Sequence, residues 1–317
     1  MLTPPAGLTE DALAEALRRE WGLRVAALGY RAVGFGSHHW EVTDDGGYRW
    51  FVTVDLAVDP DADVARLTAS LSVAVDLHAV GRTFAVAPVP TRRGAPLAVL
   101  GDFAVTVYPF VDGQSFDWNA FRGPDHRQAT LDMIIQLHTA PEIVQRHARV
   151  DDFAVPGRGE IEAALKAPGP DCGPYARPAA ELLAGHREAL AGLLARYDEL
   201  VLDSHSEPVQ AVLTHGEPHS GNTMLTPTGW RLIDWDTVLI SPPERDLWLI
   251  EPGDGSIFSA YAAATGVLPR PSTIMLYQLR WALTDIAVEV RRFRRPHTGT
   301  ADDLEGWEIL RSVVTRI

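Results

Sequence analysis

Hydrophobic residues recur at two periods along this chain, and the change between the periods divides it. Near the start, Leu13, Leu17 and Trp21 repeat every four residues, the spacing that lines one face of a helix. Thr9 is placed to cap that helix, Glu10 and Asp11 suit its positive end, Leu8 can staple against Leu13, and Gly22 is a natural stop. Over residues 23–56 the period shortens to that of strands. Residues 40–43 and 48–56 flank Asp44-Asp45-Gly46-Gly47, a turn chemistry that predicts a β-hairpin. Ahead of it, Val33-Gly34-Phe35-Gly36-Ser37 reads as a glycine loop between two further strands. Residues 64–80 predict a helix with Gly81 beyond its end, and residues 95–100 and 103–110 predict two more strands.

The segment Tyr108-Pro109-Phe110-Val111-Asp112-Gly113 breaks the strand pattern and reads as a hinge. Beyond it helical periodicity dominates, over residues 127–139, 159–165, 178–200 and 273–294, with strands only around residues 209–234. The Pro- and Gly-rich run 168–174 reads as a loop, and no internal repeat or low-complexity tract occurs. A β-rich N-lobe over residues 1–107, a hinge at 108–113 and an α-rich C-lobe over 114–317 make an α+β, two-lobed architecture. Ligands favour the clefts of such folds.

Composition then removes several functions. A formal net charge of -14 excludes a general nucleic-acid binder, which needs a positive footprint, whereas it would draw in cationic small molecules. No stretch reaches the ~18 apolar residues that a membrane span requires. Cys172 is the sole cysteine, so neither an internal disulfide nor a cysteine metal cluster can form. Residues 1–21 carry no basic region followed by an apolar run, so the expectation is a cytoplasmic protein. Nothing in the sequence marks an obligate protein partner. Lys166 is the only lysine in 317 residues, which matters once phosphate chemistry enters.

The chemistry is concentrated in His215-Gly216-Glu217-Pro218-His219-Ser220-Gly221-Asn222 and in Ile233-Asp234-Trp235-Asp236. A short apolar strand over 209–213 feeds the first segment. Gly216, Pro218 and Gly221 forbid a helix there, which also rules against a zinc pair from His215 and His219. Residues 223–226 and 230–233 predict a hairpin around Pro227-Thr228-Gly229. Pairing centred on Thr228 would set Asn222 opposite Asp234, with Cβ atoms about 4.5–5.5 Å apart. An amide oxygen beside a carboxylate offers the hard ligands that Mg2+ takes. Glu217 supplies a further carboxylate that can orient, or take a proton from, an attacking hydroxyl. Asp236 is read as lying towards the site.

These residues resemble a known pattern. Protein kinases carry H-R-D-x-x-x-x-N and then D-F-G, and His215, Glu217 and Asn222 keep the first spacing. More closely, residues 215–222, Ile233-Asp234-Trp235 and Pro243-Glu244-Arg245-Asp246-Leu247 resemble the aminoglycoside phosphotransferase family, over nearly the whole chain. The resemblance implies a protein-kinase-like fold and transfer of the γ-phosphoryl group of ATP, or GTP, to a small-molecule hydroxyl. It implies Glu217 as catalytic base with His215 orienting the loop, Asn222 and Asp234 as Mg2+ ligands, and Asp246 as a support for the loop. It also implies nucleotide contacts from Gly34, Gly36 and Ser37 and from the hinge at Tyr108, Phe110 and Val111. Aminoglycosides or aminocyclitols such as spectinomycin lead the acceptors, and kinases of choline, homoserine and sugars resemble the family too.

Two departures stand out. The base is Glu217 where the family has Asp. The third strand has no phosphate-binding lysine near Thr53, and helix 64–80 has no glutamate to pair with one. Arg49, His38 or His39 is the expected substitute. Without a substitute the alternative is a pseudokinase, a binding module without turnover; a phosphohydrolase acting on water is a third reading. Farther along, Asp285 and Glu289 are read as a solvated face or an acidic wall for a cationic substrate. The run Arg291, Arg292, Arg294 and Arg295 is read as complementing a helix end.

Overall fold

Helix α1 (Glu10–Glu20) begins where its cap predicts: Thr9 Oγ1 accepts from Ala12 N at 3.2 Å, and Leu13, Ala16 and Leu17 are buried. The computed structural model describes residues 1–34, 36–206 and 210–317, in two units, Met1–Val150 with Gln210–Leu268 and Asp151–Val209 with Pro269–Ile317. In the first unit, β1 (Val25–Arg31), β2 (His38–Asp44) and β3 (Arg49–Leu56) run antiparallel. Asp44 Oδ1 accepts from Gly46 N and Tyr48 N, both at 2.9 Å, and Gly47 takes φ +82°, closing the expected hairpin.

Helix α2 (Pro60–Ala79) follows, then β4 (Ala98–Leu100) and β5 (Phe103–Pro109), completing a sheet of order β1-β2-β3-β5-β4. Helix α2 starts four residues before the expected 64, because Asp59 caps Ala62 N at 3.4 Å and Pro60 is pre-set for a first turn. Along β3, Val52 and Val54 are fully buried against Leu13, Leu17, Trp40 and Val105. Each such side chain contributes about 1.5–3 kcal/mol of burial. Alternation therefore turns Phe51, Thr53 and Asp55 to the opposite face of the sheet.

The chain continues through β6 (Gln114–Ser115), α3 (Gly123–His138), a 3-10 turn at Glu142–His147 and β7 (Arg149–Val150). It next builds α4 (Arg158–Lys166), α5 (Ala176–Gly185) and α6 (Arg187–Ser206) of the second unit. The single helix expected over 178–200 is thus two, broken at His186, whose N–H turns back to Leu183 O at 3.3 Å. Back in the first unit come β8 (Val212–Thr214), β9 (Thr223–Thr226), β10 (Gly229–Leu232), β11 (Leu239–Ser241), α7 (Glu244–Ile250) and α8 (Ser256–Thr265). They form two three-stranded sheets, β10-β9-β6 and β7-β11-β8. Leu131, Ile134 and Leu137 of α3 share a core with Leu67, Leu71, Leu213, Leu232 and Trp235. That core fixes where the segments between β8 and α7 lie.

The second unit closes with α9 (Pro271–Phe293) and α10 (Ala301–Val314), the latter opened by a Thr300–Asp303 capping box. Here one member of the acidic pair on α9 departs from expectation. Glu289 is neither a solvated face nor a wall: its side chain is buried and paired with Arg292 at 2.8 Å, beside Gly306. Arg292 also lies 3.7 Å from Asp303, and Arg291 lies 3.7 Å from Glu160, so the basic run ties helices together. Among the described residues no helix is long and apolar enough to cross a membrane.

Candidate active site

Strand β8 ends at Thr214, and the loop that follows is held from beneath by one carboxylate. Asp246, fully buried near the start of α7, accepts from His215 N at 2.9 Å, Gly216 N at 2.6 Å and His138 Nε2 at 3.0 Å. Burial opposes its ionisation, but the His138 bond and nearby positive charge hold it below the usual carboxylate range. Arg245 packs over Gly216, donating to Thr214 Oγ1 at 2.9 Å and Thr237 O at 2.7 Å. Gly216 has φ +102°, and a Cβ there would meet the Arg245 guanidinium at 2.3 Å. Gly216→Ala should therefore lower the melting temperature by several degrees, as strain of about 1–3 kcal/mol does in a domain of this class, and an unchanged melt would contradict this anchoring.

His215 is likewise fully buried, and burial lowers its pKa to about 4, so the ring is neutral. Its Nε2 lies 3.0 Å from Ile233 O and its Nδ1 accepts from Glu217 N at 3.2 Å. A neutral ring that donates to one segment and accepts from another clips the loop to the hairpin. It ties the backbone of Glu217 to that of Ile233. Glu217 itself is partly exposed, with His219 Nε2 3.8 Å from its carboxylate and Trp118 packed edge-on against that imidazole at 4.2 Å.

The hairpin register differs from expectation by one residue. Gly229 pairs with Thr226 and Leu232 with Thr223, so Asn222 faces Ile233, whose N–H it accepts at 2.9 Å. The turn is Pro227-Thr228, two residues rather than three, because Thr226 Oγ1 bonds to Gly229 O at 2.7 Å and accepts Thr228 N at 3.2 Å. Asp234 falls one step beyond the pairing and leaves the strand with φ +67°, in the left-handed region that Asp tolerates better than most residues. Asn222 is buried, and its Nδ2 donates to Glu217 O at 2.9 Å, leaving Oδ1 without a partner among the described residues. The amide is thereby oriented with its oxygen available.

Acidic groups crowd this point. Burial raises the pKa of Asp234 well above its ordinary value, with the Asp236, Glu217 and Asp55 carboxylates adding to it. Burial, then the Glu217 and Asp55 carboxylates, bring Asp236 to about 7. Asp234 keeps a solvent-exposed face although protein surrounds it elsewhere, so a ligand can reach it. Like charges held this close are relieved by a proton or by a cation. Among the described residues no three His, Cys, Asp or Glu side chains form a metal cage. The donor set is instead an amide oxygen and carboxylates with open positions, which fits Mg2+ that keeps water and phosphate oxygens as its other ligands.

Towards the sheet, Gly34 and Gly36 have φ +70° and +91°, and Ser37 Oγ bonds to Asp55 of β3. Phe35, at the centre of the glycine loop, lies outside the described residues, as does Val209 at the start of the strand expected over 209–213. Tyr108 stands next to the acids: burial, then Asp234, Asp55 and Asp236, raise its phenol's pKa. Phe110 N is engaged by Arg49 O at 3.2 Å, whereas the Val111 N–H has no acceptor among the described residues. The three expected lysine substitutes are occupied elsewhere. Arg49 pairs with Glu41 at 2.8 Å and Asp112 at 2.9 Å and lies over the Phe110 ring; His38 bonds to Tyr30 at 3.2 Å. His39 is held 3.3 Å from Thr53, and burial with neighbouring positive charge lowers its pKa to about 4, so it is neutral. The sequence reading missed Asp55 and Arg66, whose Nη1 reaches Asp236 O at 3.1 Å.

Comparison with known proteins bears on family and fold. A family model described as the phosphotransferase enzyme family matches residues 30–271. Protein StrN of Streptomyces griseus is 30% identical over 274 residues, which cover 80% of this chain and 79% of that protein. A spectinomycin phosphotransferase, solved with ADP and spectinomycin, aligns with a TM-score of 0.65 at 18% identity, over 98% of this chain and 97% of that one. An amicoumacin kinase solved with AMP-PNP and Ca2+ gives 0.62 at 14% identity, over 98% and 94%. An ethanolamine kinase of Plasmodium vivax gives 0.57 at 11%, over 98% and 96%. At such identities the structures establish the fold, an α+β kinase-like one. Family match, relative and fold together show that the chain belongs to the phosphotransferase enzyme family, as the pattern of residues 215–222 and 233–247 predicts, and is a small-molecule kinase.

Proposed function

We propose that the protein transfers the γ-phosphoryl group of ATP or GTP to a hydroxyl of a small polar molecule, with Mg2+ as cofactor. The observation that carries this reading is the set of Glu217, Asn222 Oδ1 and Asp234 on backbone fixed by Asp246 and His215. Glu217 accepts the proton of the acceptor hydroxyl as its oxygen bonds to the γ-phosphorus, and the bond from that phosphorus to the β-phosphate oxygen breaks, releasing ADP or GDP. Mg2+, held by Asn222 and Asp234, would neutralise charge on the phosphates. Gly34, Gly36 and Ser37 would cover the phosphates, while the free Val111 N–H, with Tyr108 and Phe110, would receive the base. In functional terms residues 1–107 then serve the nucleotide, 108–113 are the hinge, and 114–317 carry catalysis and acceptor binding.

The acceptor class follows from charge and kinship. An acidic protein suits a cationic hydroxyl compound. The spectinomycin complex of a structural neighbour makes aminocyclitols the first compounds to test, and aminoglycosides the next. Release of ADP or GDP, measured across such a panel, should appear only with an acceptor present. Glu217→Gln should lower that turnover about 10²-fold with nucleotide affinity unchanged, the low end for a base because the transition state is loose. Equal product release with and without acceptor would instead mean hydrolysis by water.

A further inference from the structure

The geometry points to Arg66 of α2 as the cation that binds the nucleotide's phosphates, in place of a lysine on β3. This rests on the nucleotide reading above, and it concerns the charge that such a ligand meets. The β3 residues on the face away from the core are Phe51, Thr53 and Asp55, so this strand offers an acid where a cation is needed. The Asp55 and Glu217 carboxylates both act on Asp234 and Asp236. An anionic triphosphate cannot approach that group on Mg2+ alone without strong repulsion.

Arg66 is the basic residue that reaches them. Its Nη1 donates to the main-chain oxygen of Asp236 at 3.1 Å, across 170 residues of sequence. One turn further along α2, Ser70 Oγ bonds to Val238 O at 3.4 Å, so a single stripe of the helix runs along residues 236–238. Its charge favours the ionised form of Asp55. Even so, among the described residues it forms no ion pair within 4.0 Å with Asp55 or Asp236, and its remaining N–H groups have no acceptor. A guanidinium anchored by a main-chain carbonyl, half-buried and with its fork unspent, is placed for two oxygens of one phosphate. Ser37 of the glycine loop bonds to Asp55, a carboxylate on which the Arg66 charge acts.

Compared with the lysine–glutamate arrangement absent from this chain, the signs are exchanged: acid on the strand, cation on the helix. The test is the affinity of wild type, Arg66→Met and Arg66→Lys for MgATP, MgGTP and adenosine, by calorimetry, with unfolding of each ligand-free variant as a fold control. Arg66→Met should bind the triphosphate preferred by wild type about 10- to 100-fold more weakly, as expected for loss of a charge-assisted hydrogen bond. Adenosine affinity should be unchanged, and Arg66→Lys should recover part of the loss. Equal triphosphate affinity in wild type and Arg66→Met, or an equal loss for adenosine, would overturn this inference alone. Absence of nucleotide binding in wild type would overturn the functional reading and this inference with it.

Discussion

Asp246→Ala should cost the protein about 3–5 kcal/mol, the range for removing one member of a buried charged network. Three donors meet on this carboxylate: His215 N, Gly216 N and His138 Nε2. His138 is itself tied to Tyr261 at 2.9 Å, so it cannot swing to solvent. Each donor left buried without an acceptor costs about 1–3 kcal/mol, and a small cavity adds to that. Stability is typically 5–15 kcal/mol, so much of it is removed. Chemical denaturation should show a lower midpoint, and Asp246→Asn, which keeps one acceptor oxygen, should lose less. The pH sign follows from the depressed carboxyl pKa: its contribution is complete above the unfolded value near 4 and is lost as pH falls below it. A midpoint that Asp246→Ala leaves in place would mean the loop is held by other contacts.

Asp234→Ala should reduce turnover more than any substitution that leaves the fold intact, by upwards of ~10³-fold. A metal that polarises a phosphoryl group supplies several kcal/mol of transition-state stabilisation, and each 1.36 kcal/mol is tenfold in rate. Stability should move the other way. The raised pKa of Asp234 reflects burial and neighbouring carboxylates that disfavour its ionised form, and removing the carboxylate relieves them, while the left-handed φ of +67° stays with the backbone. The ligand-free variant should thus melt no lower than wild type, and Asp234→Gly should melt higher than Asp234→Ala because glycine takes that φ freely. Loss of activity together with a lower melting temperature would instead make Asp234 a structural residue.

The elements with local signals were legible. The Thr9 cap, the Asp44 turn and the loop-breaking glycines lie within a few residues of what they control, and the structure places them as expected. Short strands were not: β6 and β7 have two residues each, too few to show a period. Helices α8 and α10 were missed although Thr300 and Asp303 carry a capping box. The candidate site shows the same contrast. Residues 215–222 and 234 are contiguous enough for spacing to expose them, apart from the hairpin register, which a two-residue turn shifts by one. Arg66 and Asp55 were invisible because their meaning depends on Asp236, 170 residues beyond the arginine. Glu289 was misread for a related reason, since its cover comes from Arg292 and from Gly306 on another helix.

The most direct test of the central claim is thermal unfolding of wild type and Asp234→Ala with ATP or GTP, each with and without Mg2+. At a nucleotide concentration ~100 times the dissociation constant, binding adds about 2.7 kcal/mol, which is a shift of several degrees. A shift in wild type that requires Mg2+ and disappears in Asp234→Ala is the result predicted here. No shift with either nucleotide at millimolar concentration, or the same shift in the variant, would contradict a metal-assisted nucleotide site at Asn222 and Asp234.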